Sequence, residues 1–297
     1  MEETVNVSTQ EKKRVSPQLE NLKNVWRKLR SNYLAMAGGI LIIFFIITSF
    51  AGPWIVQNDP LAPNVADRLQ GPSAEYWFGT DHHGRDIFAR IIHGMSITLY
   101  IGFTSVFIGM IFGVFFGVIS GYYGKKIDAV IMRVMDVLLA FPGILLALGI
   151  VAVLGGSINN VIIAISIFSI PVFARIVRGS TLGVRQLEYI DAVRALGASD
   201  TRIIFLHILP NIMSPIIVQA TLRIATAVLT AAGLSFLGLG AQPPDPEWGA
   251  MLAAGRDYMW EYPHITLFPG LAIVAVVLAF NLFGDGVRDA LDPKLKT

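Results

Sequence analysis

Between Tyr33 and Val56 the chain runs without a single charged side chain, and five more apolar blocks follow, at about Ile97–Ser120, Val134–Leu154, Ile158–Ile176, Leu209–Leu239 and Ile265–Phe283. A hydrocarbon core of about 30 Å is crossed by roughly 20 helical residues, so each block predicts one crossing. Lipid offers the backbone no hydrogen bonds, so a crossing segment must satisfy its own, and a helix does. The expected fold is therefore an all-α polytopic membrane protein with six transmembrane helices. Its segments would be 1–32 (N-terminal), 33–56 (first span), 57–96 (first polar loop), 97–286 (a five-helix core) and 287–297 (tail). The fifth block is too long for one upright helix and predicts a tilted, bent or interfacial start. Composition agrees: 54% of residues are hydrophobic and 15% charged, outside the range of soluble domains.

Residues 1 to about 16 are polar and read as disordered. Ser16-Pro17 then offers a cap and a proline at the first helical position. Leu19, Leu22, Val25, Trp26 and Leu29 share one face, with Lys23, Arg27, Lys28 and Arg30 around it. That is a basic amphipathic helix suited to an anionic leaflet, with docking to a partner subunit as the rival reading. The first apolar block is too long, and too far from residue 1, for a cleaved signal, so it reads as an anchor. Six crossings put both termini on one side. With the N-terminus inside, eighteen Lys and Arg fall in cytoplasmic segments, against Arg68, Arg85, Arg90 and Arg256 outside, which fixes the expected orientation.

The most informative polar island is Tyr189 to Pro210, within the loop 185–210. Ile190, Val193 and Leu196, with Ala192, share a helical face. Gly197 suits the left-handed residue that ends a helix, and Ser199 or Asp200 can cap a second short helix carrying Ile203, Ile204 and Leu206. Pro210 opens the next apolar block. A helix, a glycine turn and a helix at a membrane surface make a compact docking knob.

This island resembles the loop of ABC-importer permeases, whose pattern is Glu-Ala-Ala, three residues, Gly, nine residues, then Ile-x-Leu-Pro. Asp191, Ala192, Val193, Gly197, His207, Leu209 and Pro210 hold those positions with the spacing intact, while Asp, Val and His depart from the pattern. Phe78-Gly79-Thr80-Asp81-His82-His83-Gly84-Arg85-Asp86 and Leu234–Gly240 followed by Pro243-Pro244 and Pro246-Glu247-Trp248-Gly249 narrow the resemblance, which runs from about Leu34 onward, to the second ("C") permease subunit of dipeptide, oligopeptide and nickel importers. The resemblance implies a type I importer fold with a cytoplasmic coupling helix. It implies ATPase contact through Asp191, Ala192, Val193, Ala195, Leu196, Gly197, Ala198, Ser199, Asp200 and Pro210. It also implies a homologous second permease as heterodimer partner, two cytoplasmic ATPases that hold ATP and Mg, and an extracytoplasmic solute-binding protein. The expected solutes are di- and oligopeptides, with nickel chelates or glutathione-like solutes as the alternative. The chain itself is expected to be no enzyme, to bind no cofactor or metal, and to meet lipid but no nucleic acid.

The residues support those absences as expectations. No G-x-x-x-x-G-K-[ST] loop occurs; Gly124-Lys125-Lys126 comes nearest and lacks both the hydroxyl and the upstream glycine. With no cysteine there is no disulfide or thiolate site. Asp81-His82-His83 matches a metal-binding triplet in letters only, lacking a well-spaced second ligand set, and reads as loop. An ion-driven secondary carrier would need acids within its spans, which are nearly free of them apart from Asp136. An intramembrane hydrolase would need a nucleophile and base inside the bilayer, and all five histidines lie near or beyond the span ends.

Three further features stand out. Gly109, Gly113, Gly117 and Gly121 recur every fourth residue and allow a helix to approach closely, within this subunit or in a partner. Arg223 falls at mid-span, where an arginine costs at least ~2.5–3.5 kcal/mol on insertion scales. It therefore needs a wet pathway, where it could attract a peptide carboxylate, or a structural acid such as one on a partner or Asp136. Asn281 and Asp285 are weaker candidates. Trp248, Tyr258, Trp260 and Tyr262 read mostly as an interfacial aromatic belt, with part of the segment from Pro243 to Trp260 available to a binding protein.

Overall fold

The computed structural model describes residues 17–56 and 58–291, with side chains other than those of 17–22 and 53. Expectations for residues 1–16, for the side chains of Leu19 and Leu22, and for the end of the tail lie outside them. In order come α1 (Pro17–Ser31), α2 (Tyr33–Ile55), α3 (Ile87–Tyr123), α4 (Lys125–Leu139), α5 (Gly143–Leu154), α6 (Ile158–Arg185), α7 (Glu188–Ala195), α8 (Asp200–Ile203), α9 (Leu209–Phe236), α10 (Trp248–Gly255) and α11 (His264–Leu291). The described residues hold no strand beyond an isolated bridge between Thr80 and Asp86. Four helices, α2, α3, α6 and α11, and the combined rod Asp200–Phe236 are long and apolar enough to cross a membrane.

The block expected as a third crossing differs. α4 and α5 meet at 87° across a short break, at Ala140, Phe141 and Pro142. Proline pushes its predecessor out of the helical region, and Pro142 becomes the cap from which α5 restarts. α4 begins earlier than the apolar block and is two-sided. Asp128 pairs with Arg178 and Asp136 with Arg175 at 2.7 Å, stapling one side to α6. Ile127, Val130, Val134 and Val137 form an outward apolar stripe. Eight residues along α4 correspond to three along α6, so α4 crosses α6 obliquely.

α3 also starts ten residues before the expected span, because Asp86 caps it through Phe88 N (2.9 Å) while Ile87 is fully buried. Along α3, Gly109, Gly113, Gly117 and Gly121 all face α6. A Cβ at Gly109 would stand 2.6 Å from Ser169 Cβ, one at Gly117 2.6 Å from Ala174 O, and one at Gly121 2.7 Å from Thr181 Cβ. At Gly113 it would run into Phe173 Cβ and lie 2.8 Å from Ile170 O. Helix axes this close gain dispersion along their length. The Ser166 hydroxyl adds a bond to Ser105 O across the same contact (3.1 Å). α9 and α11 complete the bundle, α2 lies on α11 and α3, and α1 lays Leu29 against Val287 and Ala290 of α11.

Candidate functional site

The elbow between α6 and α9 has a packed underside and an open tip. Ile190 of α7, Ile203 of α8 and Ile208 are fully buried against Val118 and Tyr122 of α3, Val177 of α6, and Ile212 and Ile216 of α9. α7 ends in a left-handed turn: Gly197 has φ +81°, and Gly197 N and Ala198 N donate to Arg194 O (3.0 Å) and Val193 O (3.3 Å). Those bonds satisfy carbonyls that a helix end leaves unpaired. Ser199 caps the next turn through Arg202 N.

The face expected from Ile190, Val193 and Leu196 divides. Ile190 is buried and Val193 half-buried, whereas Leu196 is 87% exposed. Asp191, Ala192, Ala195, Gly197, Ser199, Asp200 and Pro210 are exposed and Ala198 is half-buried. Phe205 and Leu206 add apolar surface at 63% and 60% exposure.

The second helix of the elbow does not stop before Pro210. It passes through a π-helical turn, Ile204–Ile208, into α9. A proline inside a helix clashes with the carbonyl four residues back and lacks an N–H. The widened turn accommodates both, with Leu209 N reaching back to Ile204 O. Asn211 Nδ2 donates to His207 O (2.6 Å) and to Tyr189 OH (3.1 Å), tying α7 to the start of α9.

One participant has no local sequence signal. Tyr122, at the end of α3, donates its hydroxyl to Asp200 Oδ1 (2.6 Å), and Arg185 lies 5.9 Å from its ring centre. Arg194 reaches Asp191 at 2.9 Å. The elbow is thus strutted to the bundle at both of its helices.

Loop 58–86 and α10 form a second polar assembly at the opposite end of the bundle. Asp81 accepts from Arg85 Nε (2.7 Å) and from the backbone N–H of His83 and Arg85. Burial works to raise its pKa, but those bonds and the charges of Arg85 and Arg90 hold it below the usual range. Arg90 joins at 3.7 Å and donates to Pro60 O. His82 stacks on Tyr258, and burial together with His83 lowers its pKa. No group of three or more potential metal ligands occurs among the described residues.

Trp248 corrects the aromatic-belt expectation: it is fully buried and donates Nε1 to Ile91 O at 3.0 Å, while Trp260 is 88% exposed. Glu247 beside it is also fully buried. Its Oε2 caps α10 through Ala250 N (2.9 Å), whereas Oε1 and the buried Ser235 hydroxyl each have no hydrogen-bond partner among the described residues. Burial raises the Glu247 pKa above its ordinary 4.5, against the pull of the Gly249, Ala250 and Ser235 groups. The native state then holds the proton more tightly than the unfolded one. The resulting stabilisation is complete below 4.5 and is lost as pH rises through the native value. Thermal unfolding between pH 4.5 and 8 is expected to show a falling contribution that Glu247→Gln removes while keeping the cap. His82 contributes with the opposite sign, so the readout is the difference between the two proteins. An unchanged slope in the variant would count against a neutral Glu247.

Arg223 is half-buried in α9 with its guanidinium 5.2 Å from the Phe168 ring centre, and it has no hydrogen bond or ion pair among the described residues. Pairing with Asp136 is excluded, because the oblique path of α4 brings that carboxylate to Arg175 instead. Asp285 and Asn281 are exposed on α11.

A helical bundle with five or, counting the bent pair as one, six candidate crossings and a strutted elbow between two of them defines a multi-pass membrane protein. Residues 113–297 match the family described as binding-protein-dependent transport system inner membrane component, and residues 21–72 match the N-terminal TM domain of oligopeptide transport permease C. The chain is 51% identical over 275 residues to a dipeptide transport system permease of Alkalihalophilus pseudofirmus, covering 93% of this chain and 90% of that one. It is 50% identical over 276 residues to a glutathione transport system permease of Pectobacterium atrosepticum, covering 93% and 92%. Among solved structures, a methionine ABC transporter in inward-facing conformations shares the fold, with a TM-score of 0.57 at 21% identity over 69% of this chain and 98% of that one. The chain belongs to the permease family of binding-protein-dependent ABC importers, in the branch of the second ("C") subunit.

Proposed function

We propose that this chain is one permease half of an ATP-driven importer of di- and oligopeptides in the cytoplasmic membrane, with both termini and the elbow in the cytoplasm. A homologous second permease completes the pathway, an extracytoplasmic binding protein delivers the solute, and two cytoplasmic ATPases hold ATP and Mg. The exposed residues from Asp191 to Pro210 seat in an ATPase cleft, and this chain makes and breaks no covalent bond. Closure of the ATPase dimer moves the elbow and shifts the bundle between two packings, because ATP favours one of them.

The single observation that supports this most is the elbow, whose apolar tip at Leu196 projects while its underside is tied to α3, α6 and α9. A joint that transmits force needs that combination. The distribution of Lys and Arg supports the orientation, and the relatives transporting dipeptide and glutathione support a small peptide-like solute. Nickel chelates and glutathione-like solutes are the competing cargoes. The test is uptake of labelled dipeptide, glutathione and nickel chelate into proteoliposomes holding the two permeases and two ATPases, with binding protein outside. ATP-dependent dipeptide uptake is expected. Uptake driven by an ion gradient without the ATPases would overturn the reading.

A further inference from the structure

Arg223 does not stand alone on its helix. Gln219, Thr226 and Thr230 fall at positions −4, +3 and +7 from it, within one narrow arc of α9 at 100° per residue. Thr226 is exposed and the other three are half-buried. The threonine hydroxyls donate to their own helix, Thr226 to Leu222 O (3.4 Å) and Thr230 to Thr226 O (2.8 Å), leaving lone pairs turned outward as acceptors. Arg223 and Gln219 contribute donors that nothing among the described residues accepts. Facing hydrocarbon, those donors would go unsatisfied.

We propose that this stripe is the solute track of the permease, with Arg223 and Gln219 taking the terminal carboxylate of a peptide and Thr226 and Thr230 accepting from its backbone N–H groups. This rests on the importer reading above and extends it to a direction and a length. Arg223 and Gln219 lie nearer the elbow, so the carboxyl end leads and the amide groups trail. From Gln219 to Thr230 the helix rises about 17 Å, the reach of roughly five extended residues. Phe168, lying against the guanidinium at 5.2 Å, holds it in place by a cation–π contact without neutralising it.

The chain has no cysteine, which makes thiol labelling clean. In the reconstituted complex, Thr226→Cys is expected to react with the anionic methanethiosulfonate ethylsulfonate about ten times faster than with its cationic trimethylammonium counterpart, relative to a free thiol. Adding Arg223→Gln is expected to abolish that preference, and Arg223→Lys to keep part of it. Alanyl-alanine should protect the thiol and its C-terminal amide should protect it much less. Val274→Cys, on an exposed apolar face of α11, is the control and should stay unreactive.

A Thr226→Cys thiol that resists both reagents in every nucleotide state overturns the proposal, as does a charge preference that survives Arg223→Gln. Loss of the second permease on purifying the Arg223→Gln complex also overturns it, since Arg223 would then be pairing with an acid of that subunit. ATP-driven uptake measured on the same vesicles with the natural Thr226 separates the two levels. Normal uptake with a failed stripe removes only this proposal, whereas absent uptake and absent ATPase association remove the importer reading itself.

Discussion

Gly197→Glu is expected to abolish ATP-driven uptake while the protein still inserts and folds, and Gly197→Ala is expected to keep most of it. Both substitutions meet the same backbone strain, since φ is +81° and the left-handed region costs an L-residue about 1–2 kcal/mol. That is a fraction of the ~5–15 kcal/mol by which folded domains are stable. Neither meets a packing obstacle, because a Cβ at this position has nothing within 4 Å. The two variants therefore differ in what projects from the elbow: a methyl group, or a charged side chain beside Leu196. Uptake and co-purification of the ATPases, alongside thermal unfolding, read the difference. Equal uptake by Gly197→Glu and the natural protein would remove the elbow from the ATPase contact.

The largest effect on folding is expected inside the bundle, at Gly113. A side chain there meets Phe173 Cβ, Ile170 O at 2.8 Å and Ala174 N at 3.2 Å, and two of those are backbone atoms that no rotamer change can move. Gly113→Leu must part α3 from α6 along a contact that also holds Gly109, Gly117 and Gly121. Overpacking by a few atoms costs about 1–3 kcal/mol, and a whole leucine at a backbone contact is expected to exceed that range. Membrane yield and melting temperature should both fall sharply, with Gly113→Ala between the two. Gly149→Ala on α5 serves as control, since nothing lies within 4 Å of its new methyl, and it should unfold like the natural protein. A stable Gly113→Leu would mean that α3 and α6 are not packed as described.

These two positions also show what the chain reveals before it is folded. The glycine period of α3 and the Gly197 turn are local patterns, so their spacing in the sequence carries their geometry. The apolar blocks likewise announce the helices, because lipid imposes length and the absence of charge. Other features depend on which elements meet. Pro142 was visible inside the third block, yet the 87° break there depends on α4 being drawn across α6 by Asp128 and Asp136. Trp248 has the composition of an interfacial aromatic and is buried because α10 folds back over α3 to reach Ile91. Tyr122 supports the elbow from 78 residues away through Asp200, a distance in sequence that no periodicity spans. Arg223 was legible as an anomaly, but that no acid among the described residues meets it could be seen only once Asp136 was found paired with Arg175.

The unbroken run from Asp200 to Phe236 spans 37 residues, about 55 Å from end to end. Because the π-helical turn carries the helix past Pro210 without a gap, α8 and α9 act as one lever whose short end lies in the elbow. A tilt of about 10° at that base would sweep the far tip through roughly 10 Å and Arg223 through roughly 6 Å, on the helical rise alone. A grip on a few side chains at one surface would thus reposition groups a full bilayer away, as the seams of α9 with α3, α6 and α11 shift around the moving rod.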